Sequence, residues 1–277
     1  MQKIVVHPGN AHRDDFLSVC VLLATCGDAA VFRCQPTEED LADPETFVID
    51  VGMEYDPEKH NFDHHHDRTL PCAFHLIMQH LGYHEDAMQV YGWYPIMNMM
   101  DVDGPHKTAE DLGVDPGFLL ASSSPIDGYV LSRFSLVSSL GKRDLIYKFM
   151  KEMGKALIGL IDQKKQRLEL LKKEARVVEV KQFRAIVSTI SEEPKLSMEL
   201  FFRHLADPGI VMCITPSVRC RGWELLRLGN SSIVDFRTIA NHPGIDFVHA
   251  NGYVATTRNL LPFVEIVELA SEAVRDT

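Results

Sequence analysis

The chain has 277 residues, 45% hydrophobic and 24% charged, with a net charge of −11; these values exclude a disordered chain and fit one large or two ordinary globular domains. No apolar run reaches the roughly 20 residues of a membrane helix, and the opening MQKIVVH has no basic segment or apolar signal core, so a soluble, cytoplasmic protein is expected. The six cysteines (Cys20, Cys26, Cys34, Cys72, Cys213 and Cys220) form no C-x-x-C pair, which speaks for buried reduced thiols and against a structural zinc cluster.

Lys3 to His7 reads as a short buried strand, and DDFLSVCVLLATCG from Asp14 has the apolar spacing of a helix ending near Gly27. AAVFRC and TFVIDVG read as further buried strands bounded by turn formers. This order predicts an α/β fold whose N-terminal sheet is mainly parallel and flanked by helices. Ligands of such sheets collect at the carboxyl ends of the strands, where His7 and Asp50 fall. Ala73–Leu81 and Glu85–Met100 are predicted helices, the Met-rich second one being assigned to core packing. Lys142 to Arg176 keeps helical periodicity without a proline and is predicted as a long linking helix. VVEVKQF, RAIVSTI and GIVMCIT are strand-like, and a closing helix is expected over Leu261–Val274, so a smaller C-terminal α/β domain completes the chain. The expected division is 1–140, a catalytic domain, 141–176, the linking helix, and 177–277, a second domain.

Charge divides along the same lines. Residues 1–130 hold 22 Asp and Glu against 6 Lys and Arg, whereas residues 141–184 hold 13 Lys and Arg against 6 Asp and Glu. A carboxylate-rich module that a cation would neutralise is thus followed by a basic helix, which charge alone assigns to a solvated face.

Four clusters of the first domain share one chemistry. They are HPGNAHRDD (His7, His12, Asp14, Asp15), VIDVG (Asp50), FDHHH (Asp63, His64, His65, His66) and MDVDG (Asp101, Asp103). Each follows an apolar run, where a parallel sheet presents side chains to its ligand edge. Mixed imidazole and carboxylate donors argue against an all-oxygen calcium or magnesium cage; manganese is the first choice, with cobalt, zinc or magnesium as substitutes. The donor supply fits two ions better than one, and a pair roughly 3.5–4 Å apart serves in-line phosphoryl displacement by water.

HPGNAHRDDFLSVCVLLA, VIDVGMEYDPEKHNFDHH and MDVDG resemble successive motifs of the DHH phosphoesterase superfamily, and within it the melanocyte-proliferating-gene (Myg-type) family of metal-dependent exonucleases. CRGWELL and FVHANGYVAT resemble the family's C-terminal domain. The resemblance implies His7, His12, Asp14, Asp50, His64 and Asp101 as metal ligands, with Asp50 bridging, Asp63 orienting the motif and His65 contacting a phosphate. The chain departs from the family at Ala11, Asp15 and His66, and in the short spacing of MDVDG, which leaves Asp103 competing with Asp101. Asp15 joins Asp63 and His65 as a catalytic candidate.

In DHH enzymes the second domain closes over the metals and supplies basic residues to the substrate. Arg219, Arg221, Arg237 and His249 lie in loop-like contexts, and Arg221 beside Trp223 offers a phosphate contact next to a stacking surface. The expected activity is phosphodiester hydrolysis at a dinuclear metal centre, by a 3′-5′ exonuclease on single-stranded RNA or short oligonucleotides. The alternatives are a small-molecule phosphatase acting on pyrophosphate, 3′-phosphoadenosine phosphate or a dinucleotide, and a non-catalytic metal-containing binding protein. The oligomeric state is left open.

Overall fold

The computed structural model describes residues 2–121, 124–190, 194–229 and 232–275. The chain divides into two compact units, Met1–Asp162 and Gln163–Thr277.

The first unit runs β1 (Gln2–Val6), α1 (Arg13–Thr25), β2 (Ala29–Arg33), α2 (Glu38–Ala42), β3 (Thr46–Ile49), β4 (Tyr55–Asp56), β5 (Asn61–Phe62), α3 (Ala73–His80), α4 (His84–Val90), α5 (Trp93–Val102), α6 (Gly104–Leu112), α7 (Pro116–Ala121), α8 (Pro125–Ser135) and β6 (Ser139–Leu140). It also holds the start of the long helix α9 (Leu145–Glu174). The strand order is β4-β5-β3-β1-β2-β6. β1, β2, β3 and β5 run parallel, and the two edge strands antiparallel. All four residues of β3 are buried, as are Ile4, Val5 and Val6 of β1, the β-branched, two-faced burial that a parallel sheet demands.

β1 lies between β2 and β3, so the chain leaves it through α1 to one side and returns through α2 to the other. The carboxyl ends of β1 and β3 therefore flank a switch point, the place where open α/β sheets bind ligands.

Helix α1 is buried on nearly every side, from Phe16 to Leu23. α9 meets it at Gly154, where a Cβ would lie 1.9 Å from the Cys20 carbonyl oxygen. Only glycine lets the two backbones approach so closely.

The single helix expected over Glu85–Met100 is instead α4 and α5, with extended Tyr91 between them. Gly92 weakens the helix there, and Pro95, without an N–H, is tolerated only in a first turn, which is where α5 places it. Helices α6, α7 and α8 went unforeseen, although each carries a proline in its opening turn (Pro105, Pro116, Pro125) and Ser124 caps α8 by accepting from the Ile126 N–H at 3.1 Å.

The second unit holds the rest of α9, then β7 (Arg176–Val180), β8 (Phe183–Val187), α10 (Pro194–Leu205), β9 (Ile210–Pro216), β10 (Trp223–Arg227), a 3-10 turn (Phe236–Ile239), β11 (Ile245–Val248), β12 (Val254–Thr257) and α11 (Phe263–Glu272). Its sheet, ordered β11-β12-β10-β9-β8-β7, is antiparallel except for the β8–β9 pair, which α10 connects. The core joins Val187, Ile214, Leu225 and Phe236 to Ile266 and Leu269 of α11. All six cysteines are free, and among the described residues no helix is long and apolar enough to cross a membrane.

Candidate metal centre

Val6 and Ile49 are register partners in neighbouring parallel strands, so the next residues, His7 and Asp50, leave the sheet at one edge. The His7 N–H donates to the Ile49 carbonyl at 3.3 Å and the Asp50 N–H to that of Phe62 at 3.0 Å. Asp50 has a left-handed φ of 57°, a strained region that Asp tolerates better than most residues. β5 brings the third cluster to the same edge, because Phe62 pairs with Ile49 and is followed by Asp63 and His64. α1 begins beside them, and Asp101 arrives on the last turn of α5.

His64 Nε2 lies 3.4 Å from Asp50 Oδ1 and 3.2 Å from Asp101 Oδ2. Within 4.8 Å of one another fall ligand atoms of Asp50, His64 and His65, of His7, Asp15 and Asp50, of His12, Asp14 and Asp50, and of Asp14, Cys72 and Asp101. Asp50 belongs to three of these sets.

Among the described residues nine buried side-chain nitrogens and oxygens lack a hydrogen-bond partner, and five of them sit here: His7 Nδ1, both carboxylate oxygens of Asp14, Asp50 Oδ1 and His64 Nε2. Each such group carries a desolvation cost of about 1–3 kcal/mol, more when charged. One explanation serves all five. Their nitrogen and carboxylate lone pairs converge as the donor set of a divalent transition metal, so the residues present fit such an ion.

The field in the cluster is strongly negative. Burial, then the charges of Asp50, Asp101 and Asp15, raise the Asp14 carboxyl well above the usual range. Burial pushes Asp15 up to about 7 against the opposing pull of Arg33. For His64 burial acts downward, but Asp101 and Asp50 outweigh it and push the imidazole up to about 10. A bound cation inverts this local logic.

Around the convergent atoms stand residues that hold hydrogen-bond partners of their own. Asp63 accepts from the Met53 N–H at 2.6 Å and the His65 N–H at 3.1 Å, and lies 2.6 Å from His65 Nδ1. Burial would raise its pKa, yet these bonds hold it below the ordinary carboxylate value. The contact turns His65 Nε2 away from Asp63, and the side chain is 47% exposed.

Asp15 accepts from the His12 N–H at 3.0 Å and pairs with Arg33 Nη2 at 3.3 Å. Arg33 also donates to the Gly9 and Phe134 carbonyls and lies over the Phe134 ring. This buried pair ties the start of α1 to the loop between His7 and His12. Sequence reasoning missed Arg33, whose signal was a lone cation ending an apolar strand.

Asp103 and His66 are exposed and belong to none of the ligand sets, whereas the Asp101 side chain, 21% exposed, does. Cys72 was missed as well; in PCAFHLIM it reads as a core thiol. A separate cavity of about 470 Å³ in this unit is apolar, with Phe16, Trp93 and Met97 in its walls and the Arg13–Asp127 pair beside them.

In the second unit Trp223 is 6% exposed and its indole N–H donates to the Leu261 carbonyl, so the expected stacking surface is a core residue. Arg237 is bidentate to Asp235, at 2.8 and 2.7 Å. His249 accepts from the Asn251 N–H at 3.1 Å and packs on Tyr253. Arg221 is exposed and makes no hydrogen bond or ion pair with a described residue.

The family model MYG1_exonuc, described as an uncharacterised protein family (UPF0160), matches residues 3–75. No curated protein matches the chain. Among solved structures, RecJ from Thermus thermophilus in complex with Mn2+ aligns over 98% of this chain and 52% of its own, at 13% identity and a TM-score of 0.32. An uncharacterized protein from Helicobacter pylori aligns over 99% of both chains at 10% identity and a TM-score of 0.28. An exopolyphosphatase-related protein from Bacteroides fragilis aligns over 98% of this chain and 91% of its own, at 11% and 0.29. The chain spans about half the length of the RecJ structures it matches.

Proposed function

We propose that this chain, whose residues 3–75 are of the MYG1_exonuc type, is a metal-dependent phosphoester hydrolase. The observation that carries the reading is the convergence of five partnerless, buried donor atoms on one sheet edge. His7, His12, Asp14, Asp50, His64 and Asp101 would hold two divalent ions, with Asp50, common to three ligand sets, as the bridge. When bound, such a pair supplies an activated water and neutralises charge on the phosphate oxygens.

The chain's own residues do the rest. His65, its ring fixed by Asp63, presents Nε2 on the side away from Asp63, where the doubly protonated ring would donate to a phosphate oxygen. Asp15 and Arg33 keep the loop of His7 and His12 in place. Residues 177–277 would form a substrate-binding domain, in which Arg221 and Arg219, both exposed and without a side-chain partner among the described residues, would clamp a phosphodiester. The preferred substrate is single-stranded RNA or a short oligonucleotide, cleaved from the 3′ end.

One observation favours a second substrate class. The excess of 16 carboxylates over residues 1–130 repels a long polyanion and disfavours it less when it is short, as pyrophosphate, 3′-phosphoadenosine phosphate or a dinucleotide is.

A hydrolysis panel with the manganese-loaded protein decides between them, offering these three small phosphate compounds beside end-labelled RNA, with Asp50→Asn as the control. Turnover of RNA in single-nucleotide steps supports the exonuclease; turnover of the small compounds alone moves the assignment to the second class. Hydrolysis that survives both chelation and Asp50→Asn would remove the metal reading itself.

A further inference from the structure

We infer that Cys72 is a ligand of the metal centre, its Sγ joining Asp14 and Asp101 around one ion and giving that position a preference for thiophilic divalent cations such as zinc or cobalt. The inference rests on the reading of the cluster as a metal centre and adds a donor that no other ligand set contains.

The geometry is specific. Cys72 Sγ lies within 4.8 Å of a carboxylate oxygen from each of Asp14 and Asp101. Cys72 is fully buried, and Asp14, at 1% exposed, has neither oxygen partnered. His64 Nε2, also without a hydrogen-bond partner, is 3.2 Å from Asp101. Sulfur and two carboxylates give three donors of the kind zinc and cobalt accept, with this imidazole beside one of the carboxylates.

The fold also holds the thiol in position. Cys72 is the residue before α3, and its N–H donates to Asn98 Oδ1 at 2.8 Å. Asn98 stands three residues before Asp101 on α5, on the same helix face, so this bond sets the start of α3 beside Asp101. α3 in turn packs on α1, which carries Asp14. A cysteine acting only as a small hydrophobe needs no carboxylates for neighbours. Cys20, equally buried, feels the charge of Asp15 but lies mid-helix in α1 and belongs to none of the ligand sets.

Coordination replaces the S–H proton with the ion. One proton passes to solvent for each sulfur–metal bond formed, and no oxidant is involved. Thiolate ligation shifts selectivity along the order in which zinc and cobalt exceed manganese, so the position next to Cys72 departs from the manganese expected of a purely nitrogen and oxygen set.

Cobalt substitution of the full chain tests this. The expected spectrum has visible ligand-field bands and a near-ultraviolet sulfur-to-cobalt charge-transfer band. In Cys72→Ser the ligand-field bands persist, the charge-transfer band disappears, and zinc or cobalt affinity falls about ten- to a hundredfold with a smaller change for manganese. Bound cobalt without a charge-transfer band, or with one that survives Cys72→Ser, overturns the role of Cys72 and leaves the centre standing. No retained cobalt in the wild type overturns the metal reading itself. Cadmium-113 NMR of the wild-type protein makes the same distinction without a variant: a sulfur ligand moves the resonance well downfield, and a shift typical of nitrogen and oxygen ligands alone refutes the inference.

Discussion

Two buried aspartate sites, one in each unit, are treated in opposite ways. Asp235 of the second unit accepts from the Arg237 backbone N–H, from Arg237 Nε and Nη2, and from Arg275 Nη2 at 2.6 Å. Arg237 first, and Arg275 with it, hold its carboxyl well below the ordinary range. Even the backbone is pressed against it: a Cβ on Gly252, whose φ is +68°, would fall 2.2 Å from Asp235 Oδ1. Asp14 and Asp50 of the first unit are buried more deeply and left with three oxygens unbonded. The chain can satisfy a buried carboxylate completely where its task is structural. Where the carboxylate stays open among the described residues, the proposed metal would be its partner.

Asp50→Asn should have the largest effect. An amide keeps the left-handed backbone accessible but cannot bridge two cations, so hydrolysis should fall to background, on the order of a thousandfold or more, with metal content reduced and the melting temperature of the metal-free protein unchanged or raised. Full activity in this variant would show that Asp50 is open for some other reason.

The tandem histidines come next. His64→Ala should lose metal, whereas His65→Ala should keep it and lower kcat/KM by a factor on the order of ten to a hundred. Equal metal loss in both, measured by plasma mass spectrometry, would move His65 into the ligand set.

A third test compares His64 with another buried histidine of the same unit. His75 is 4% exposed, its Nε2 donates to the Tyr94 carbonyl at 3.0 Å, and burial pushes its pKa down to about 4. Above the unfolded value of roughly 6.5 both states are neutral. As pH falls from there toward 4, the unfolded chain takes up a proton that the fold refuses, and stability declines by about 3 kcal/mol. Urea melts at pH 7 and pH 4 should show this loss in the wild type and a smaller one in His75→Phe; equal losses would mean that His75 titrates normally.

Asp235→Asn should cost about 1–2 kcal/mol, a figure discounted because both guanidinium groups are half exposed. Thermal unfolding reads that loss, and metal content should not change. Smallest of all, Arg221→Ala should lower kcat/KM for an oligonucleotide by a factor on the order of ten while sparing bis(p-nitrophenyl) phosphate. Parallel loss on both substrates would place Arg221 in the chemical step.

The legible parts of the sequence were those where a periodicity and a strand end coincide. The first three strands and α1 lie within three residues of their predicted limits, and because a parallel sheet delivers its carboxyl ends to one edge, the clusters containing His7, Asp14, Asp50, His64 and Asp101 were recognisable before any contact was known. What stayed hidden depended on tertiary neighbours. Cys72 looks like its apolar context until Asn98 brings α5 beside it. Trp223 looked like a stacking platform because nothing local shows that Leu261, 38 residues on, accepts its N–H. Asp103 and Asp101 were equivalent until α5 was seen to end at Val102, leaving one inside the helix and the other past its end.

The open donors of the first unit are proposed to hold divalent metal for catalysis. Plasma mass spectrometry on manganese-reconstituted, desalted protein, with hydrolysis assayed on the same samples, tests it most directly. Two ions per wild-type chain are expected, with a clear loss in Asp14→Asn and Asp50→Asn and activity following metal content. Wild-type protein that retains no divalent ion yet hydrolyses phosphoesters at full rate would contradict it.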